Sequence, residues 1–151
     1  YGLRGKNFLL TMMRLAKERD EIRVVNDQIG SPTWSRLVAE VTAQVLAKIT
    51  FAGQYDKGAY AKLSGLYHLT SAGAGSWYDF TKKIVEKMAQ DSQDSLDKGD
   101  CKVANIIAIP TSEYPTPARR PLNSRLNCDL LKNTFSLSLP DWEKALDLVL
   151  T

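Results

Sequence analysis

Residues 24–34 read Val24-Val25-Asn26-Asp27-Gln28-Ile29-Gly30-Ser31-Pro32-Thr33-Trp34. Two β-branched residues suit a strand, and the polar trio after them ends it. Gly30 and Pro32 then punctuate a loop, and Ser35 is placed to cap a helix. A strand, a loop and a helix in succession make the first unit of an α/β chain. No obvious catalytic nucleophile stands in the loop, so its purpose has to be sought in the rest of the sequence.

Outward from this stretch the alternation continues. Asn7 to Lys17 carries Phe8, Met12 and Leu15 at helical spacing, and Glu18-Arg19-Asp20-Glu21 ends that helix in solvent. Ile22 to Val25 is the strand that feeds the loop. After Ser35, Val38, Val41, Val45 and Ile49 share a helix face that should pack on a sheet, with Arg36 and Glu40 one turn apart and able to pair. Residues 51–65 contain Gly53, Gly58 and Gly65 and read as a loop, and Leu66 to Thr70 reads as a strand. Ser71-Ala72-Gly73-Ala74-Gly75 turns the chain into a helix beginning near Ser76, whose Trp77, Phe80, Ile84 and Met88 form an apolar stripe. Residues 91–102 read as a second, polar loop, Val103 to Ile109 as a strand, and Pro110 to Pro117 as an extended surface segment. Asn127 or Asp129 starts a short helix through Lys132, and Pro140-Asp141-Trp142 opens the last one, with Trp142, Leu146 and Val149 on its buried side. The strands are short and far apart, so the class is α/β without a complete doubly wound sheet.

Composition sets the bounds. The chain has 151 residues, 44% of them hydrophobic and 25% charged, which suits one soluble globular domain. At this length a fold buries about 68–70% of the unfolded surface, enough for a core. No apolar run approaches the roughly 20 residues of a membrane span, and the first residues lack a signal-peptide layout. The expectation is a cytoplasmic protein without a membrane partner. The formal charge is +3, but the basic residues are interleaved with acids, as in Arg14, Lys17, Glu18, Arg19, Asp20 and Glu21. That pattern is a solvated helix end and argues against nucleic acid. Cys101 and Cys128 lie far apart and His68 is the single histidine, so neither a metal site nor a disulfide framework is expected.

Three groupings invite a chemical reading. Gly73-Ala74-Gly75 lacks the third glycine of a dinucleotide fingerprint and the acidic residue about 20 positions on, so it reads as a tight turn. Tyr78 and Lys82 lie one turn apart, like the acid/base pair of short-chain dehydrogenases, whose tyrosine must titrate well below its usual value of about 10. Only 77 residues precede Tyr78 here, without a glycine fingerprint, so the pair reads as bordering the core. Arg119 and Arg120 either clamp a diphosphate in bidentate fashion or tie a loop down through carbonyls.

Several stretches together resemble one family. They are Tyr1-Gly2-Leu3-Arg4-Gly5-Lys6-Asn7-Phe8, the Val25–Trp34 loop, Gly65 to Thr70, Ser76-Trp77-Tyr78-Asp79-Phe80, Arg120 to Leu126, and Leu139-Pro140-Asp141-Trp142. In order along the chain they resemble the dTDP-4-dehydrorhamnose reductases, extended short-chain dehydrogenases/reductases of dTDP-L-rhamnose biosynthesis. In that family the cofactor fingerprint and the catalytic Tyr-x-x-x-Lys precede the first of these stretches. The resemblance therefore implies that residues 1–151 form the C-terminal, sugar-nucleotide-binding half of a Rossmann-type reductase, with the cofactor half and the catalytic residues outside this sequence. It implies NADPH or NADH as the cofactor, bound mainly elsewhere, and a dTDP-sugar as the substrate.

By the same resemblance Asn7 and Phe8 line the entrance to the site, Gln28, Gly30, Pro32 and Thr33 help to enclose the nucleotide, and Arg120 approaches its phosphates. Asn26 departs from the aspartate more common there. The residues are compatible with this: Gly30 admits a close backbone, Pro32 stiffens the loop, and amide and hydroxyl groups can pair with a thymine edge. The same residues can also serve as a rigid helix entry. The expected whole-protein reaction is reduction of the 4-keto group of dTDP-4-keto-6-deoxy-L-mannose, and this chain alone is expected to be inactive. With too little sheet to bury Val38, Val41 and Val45, it is also expected to self-associate. Two alternatives stay open. One is another nucleotide-sugar epimerase or dehydratase of the same fold. The other is a non-catalytic regulatory subunit like the beta subunit of methionine adenosyltransferase.

Overall fold

The parallel pairing of two strands organises the molecule. The computed structural model describes residues 1–56, 58–94, 102 and 105–150. Strand β1 (Glu21–Val25) pairs with β4 (Asn105–Ile109), Glu21 opposite Asn105 and Val25 opposite Ile109. Ile22 and Val24 are buried while Glu21 and Arg23 face water, the period-2 alternation of a strand covered on one face. Strand β2 (Ile29–Gly30) pairs antiparallel with β3 (Gly75–Ser76), two residues a side.

Helix α1 (Phe8–Glu18) starts at Asn7, whose extended backbone (φ −152°) lets its Oδ1 accept the Leu10 amide at 3.3 Å. Its buried stripe is Leu9, Met12 and Ala16 rather than the expected Phe8, Met12 and Leu15. Phe8 and Leu15 flank that stripe and pack on the core from its rim. Helix α4 (Trp77–Asp94) buries Phe80, Ile84 and Met88 as its spacing predicts. Its first turn is closed reciprocally: Ser76 N and Oγ donate to Asp79 Oδ2 at 2.8 and 2.7 Å, and Asp79 N donates to Ser76 Oγ at 3.0 Å. These two helices, β1 and helix α6 (Trp142–Val149) enclose the main core, with Trp142, Leu146 and Val149 buried as expected.

Helix α2 (Ser35–Tyr55) departs from expectation in three ways. Trp34 is its N-cap and Ser35 its first residue, with the Ser35 amide satisfied by the Tyr1 carbonyl at 2.9 Å. It runs through Gly53, and α3 (Ala59–Leu63) follows, so most of the expected 51–65 loop is helical. Gly53 here makes room instead of a turn: a Cβ would lie 2.5 Å from the Tyr60 ring. Finally, the buried side of α2 belongs to a cluster separate from the one that covers β1. Val41 is buried with Leu131, Phe135 and Leu139 in a second cluster, while Ile22 and Val24 of β1 pack with residues of α1 and α4 in the main one.

Leu66 to Thr70 forms no ladder among the described residues, so the expected strand is absent there. Its alternation is real, with Tyr67 and Leu69 turned into the second cluster and Leu66 82% exposed. The expected 91–102 loop is helical through Asp94; the rest of it except Lys102, and Val103, lie outside the described residues. Pro110 to Pro117 holds one 3-10 turn, Thr111–Glu113. Helix α5 (Asp129–Phe135) continues past Lys132 and stops at Ser136, which adopts a left-handed φ of 53°. Lys48 of α2 donates to the Phe135 carbonyl at that end. Among the described residues no helix is long and apolar enough to cross a membrane, and no group of three or more acidic, His or Cys side chains could hold a metal.

Candidate functional site

The loop of residues 24–34 is held from three sides. On one side Asp27 grips the 3-10 turn: its Oδ1 accepts the Thr111 hydroxyl at 2.6 Å, and both carboxylate oxygens accept the Thr111 amide, at 2.9 and 3.0 Å. These bonds, the hydroxyl's first, hold the Asp27 carboxyl below the usual carboxylate range. On the second side Ile29 N donates to the Leu122 carbonyl at 2.8 Å, and the Ile29 carbonyl accepts Ser124 N and Oγ at 2.8 and 3.1 Å. On the third side Ser31 Oγ donates to the Gly73 carbonyl at 2.8 Å, and Thr33 Oγ1 accepts the Ser71 amide at 3.0 Å.

The result is a cavity of about 520 Å³ between this loop, the start of α1, the start of α4 and the 120–124 segment. That volume lies within the range of small-molecule sites. All seven residues singled out from the sequence line it: Asn7, Phe8, Gln28, Gly30, Pro32, Thr33 and Arg120. Their surroundings differ from what their types suggest. Asn7 Nδ2 donates to the carbonyls of Gly2 and Arg4, at 2.9 and 3.3 Å, while its Oδ1 caps α1, so its amide is occupied. Thr33 Oγ1 donates to the Ser31 carbonyl at 2.8 Å and accepts from Ser71, so its hydroxyl is occupied too. Gly30 admits its own chain: a Cβ there would lie 2.8 Å from Ser124 Oγ. Pro32 stiffens the turn into α2.

Phe8, Gln28 and Arg120 differ from these four. Phe8 lies 4.6 Å from Trp77 and 5.8 Å from Phe80, ring centre to ring centre, giving the cavity an aromatic wall. Arg120 is exposed and forms no ion pair among the described residues, and it is the one cationic side chain among the described lining residues. Arg119 does not line the cavity, so the two arginines are not brought together as a clamp there. Sequence reasoning missed Trp77, Phe80 and Ser124 as lining residues and Asp27 as the loop's anchor. Trp77 and Phe80 could have been found, since both sit in the quoted family stretch, but the Asp27–Thr111 contact spans 84 positions and leaves no mark in local spacing.

Tyr78 and Lys82 lie away from this cavity. Tyr78 packs on the main core, and Lys82 Nζ lies 4.0 Å from Glu86 on the outer face of α4. The Gly73-Ala74-Gly75 turn likewise serves the fold. Gly73 has φ +75°, and a Cβ on it would lie 2.2 Å from Asp141 Oδ2; one on Gly75 would lie 3.0 Å from the Trp142 ring. These glycines admit the start of α6, so the turn has a packing reason for both of them.

The family model described as RmlD substrate binding domain matches residues 1–151. The chain belongs to the RmlD substrate binding domain family. It is 46% identical over 148 residues to a dTDP-4-dehydrorhamnose reductase of Burkholderia thailandensis, covering 98% of this chain and 47% of that protein. It is 41% identical over 144 residues to the Escherichia coli K12 protein of the same name, covering 95% of this chain and 43% of the other. Among solved structures, a dTDP-4-dehydrorhamnose reductase ortholog from Clostridium acetobutylicum matches with TM-score 0.77 at 31% identity, over 99% of this chain and 44% of that one. The Bacillus anthracis reductase, solved in complex with NADP, matches with TM-score 0.69 at 36% identity and the same coverage. The chain thus spans about half the length of the relatives it matches. As a substrate binding domain of this family it is α/β with short strands and packed helices, as the sequence suggested.

Proposed function

We propose that this chain is the sugar-nucleotide-binding half of an enzyme that reduces the 4-keto group of dTDP-4-keto-6-deoxy-L-mannose to dTDP-L-rhamnose in the cytoplasm. The observation that carries the reading is one cavity in which an aromatic wall, the Gln28 amide and Arg120, the one cationic side chain among the described lining residues, face the same space. A nucleotide sugar has a flat base, a hydrogen-bonding base edge and a diphosphate, and these three features match that set. The names of the relatives support the same substrate class. NADPH, bound outside the described residues, supplies the hydride in the whole enzyme. Here Gln28 and Arg120 hold and orient the substrate, while Asn7 and Thr33 keep the walls in place. The chain alone should therefore turn over no NADPH.

Self-association belongs to the same proposal. Val41 is buried within the chain, so the motive shifts to the outer face of α2, where Leu46 and Phe51 are 60% and 64% exposed. A monomeric mass by light scattering would remove this part. The substrate reading is tested by saturation-transfer NMR with dTDP-rhamnose, a UDP-sugar and NADPH in separate samples. Signal from the dTDP-sugar alone is expected. Preference for the UDP-sugar would move the assignment to another nucleotide-sugar enzyme of the fold, and NADPH binding would contradict the division of labour.

A further inference from the structure

We propose that Asp27 is a positioning residue that acts through Thr111 to fix which end of the Gln28 amide meets the ligand, so that the site requires a hydrogen-bond donor such as a pyrimidine imide N–H. The inference rests on the nucleotide-sugar reading above and adds its basis for base selection. An ionised carboxylate only accepts hydrogen bonds, so the Thr111 hydroxyl, 2.6 Å from Asp27 Oδ1, must spend its one proton there. Thr111 Oγ1 is then available only as an acceptor. Gln28 Nε2, 3.1 Å away, fills it as the donor. The amide orientation is therefore dictated by charge rather than left to rotation, and Gln28 Oε1, which accepts no hydrogen bond among the described residues, is the atom left for a ligand.

Geometry makes the chain of three groups stiff. The Thr111 amide also donates to both Asp27 oxygens, so the threonine is fixed at backbone and side chain. Asp27 lies two residues beyond β1, whose last residue pairs with Ile109 two positions before Thr111, and Asn26 N adds a bond to the Ile109 carbonyl at 3.0 Å. Gln28 itself lines the cavity, whereas Asp27 does not. Asp27 thus acts on the ligand without touching it. An isosteric Asp27→Asn change would supply an NH₂ able to donate to Thr111 Oγ1, freeing the hydroxyl proton to point at Gln28 and favouring the flipped amide.

The test compares binding of dTDP with that of its N3-methylated analogue, which lacks the imide donor, measured by titration calorimetry on the full chain. In the unaltered chain methylation should weaken binding by about tenfold or more, the worth of one well-placed hydrogen bond. In Asp27→Asn and in Thr111→Val that factor should shrink toward one, and Thr111→Ser, which keeps the hydroxyl, should restore it. The Gln28 side-chain amide ¹⁵N resonance, read on the ligand-free chain, should move in Asp27→Asn and Thr111→Val and stay in Thr111→Ser. A merely structural Asp27 would lower affinity for both nucleotides equally. An unchanged methylation factor with an unmoved Gln28 resonance would overturn the proposal. Absence of dTDP binding to the unaltered chain, with the resonance responding as stated, would refute the nucleotide reading and the donor requirement with it.

Discussion

Replacing Gly73 by alanine tests the way the fold closes around the site. Gly73 combines a φ of +75° with close approach to the start of α6: an added Cβ would lie 2.2 Å from Asp141 Oδ2 and 3.2 Å from Trp142 Cδ1. The left-handed backbone alone costs a residue with a Cβ about 1–2 kcal/mol. Asp141 is the N-cap of α6, accepting the Glu143 amide at 3.0 Å, and displacing it forfeits a cap worth about 1 kcal/mol. Gly73→Ala should therefore destabilise the chain by about 2–3 kcal/mol, read from the midpoint of urea unfolding at unchanged slope. Gly5→Ala is the control, because Gly5 has a similar φ of +73° with nothing within 4 Å of its Cβ position. It should show the backbone part alone. The reasoning fails if the two variants lose equal stability, since the contact with Asp141 would then carry no weight.

Phe80→Ala, which empties a side chain 1% exposed between the rings of Tyr1, Phe8 and Trp142, should cost about 3–5 kcal/mol in the same assay. Because the Asp27 carboxyl titrates below its usual range in the folded chain, it contributes stability above the unfolded value of about 3.9. That contribution disappears as pH falls through the lower folded value, so Asp27→Asn should flatten the acid limb of an unfolding-midpoint-against-pH curve; an unchanged limb would exclude the Thr111 bonds as its cause. Arg120→Ala should weaken dTDP-rhamnose binding about tenfold in calorimetry and reduce its salt dependence, as expected of one exposed guanidinium on a diphosphate; equal salt dependence would place the phosphates elsewhere.

How far the sequence reveals this molecule depends on the range of each interaction. Helices α1, α4 and α6 are legible because their caps, Asn7, Ser76 with Asp79, and Asp141, sit within three residues of the amides they satisfy. The end of α2 is not, because Gly53 reads as a turn until Tyr60 is seen filling the space a side chain would need. Leu66 to Thr70 has strand alternation, but a strand also needs a partner edge, which local pattern cannot supply. At the site, the residues singled out by the family resemblance line one cavity, yet the resemblance did not distinguish Thr33 and Asn7, whose polar groups serve the fold, from Gln28 and Arg120. That distinction lies in hydrogen bonds between distant segments.

The distance along the chain between those segments has a kinetic meaning. Asp27 and Thr111 are 84 positions apart, and Ile29 and Ser124 are 95. Bringing such remote points together costs loop-closure entropy that a handful of hydrogen bonds cannot offset before the core has formed. The cavity therefore comes into being only with the complete native structure, and a partly folded chain has no weakened version of it. A ligand of this cavity binds the native population alone, so its occupancy counts correctly folded molecules.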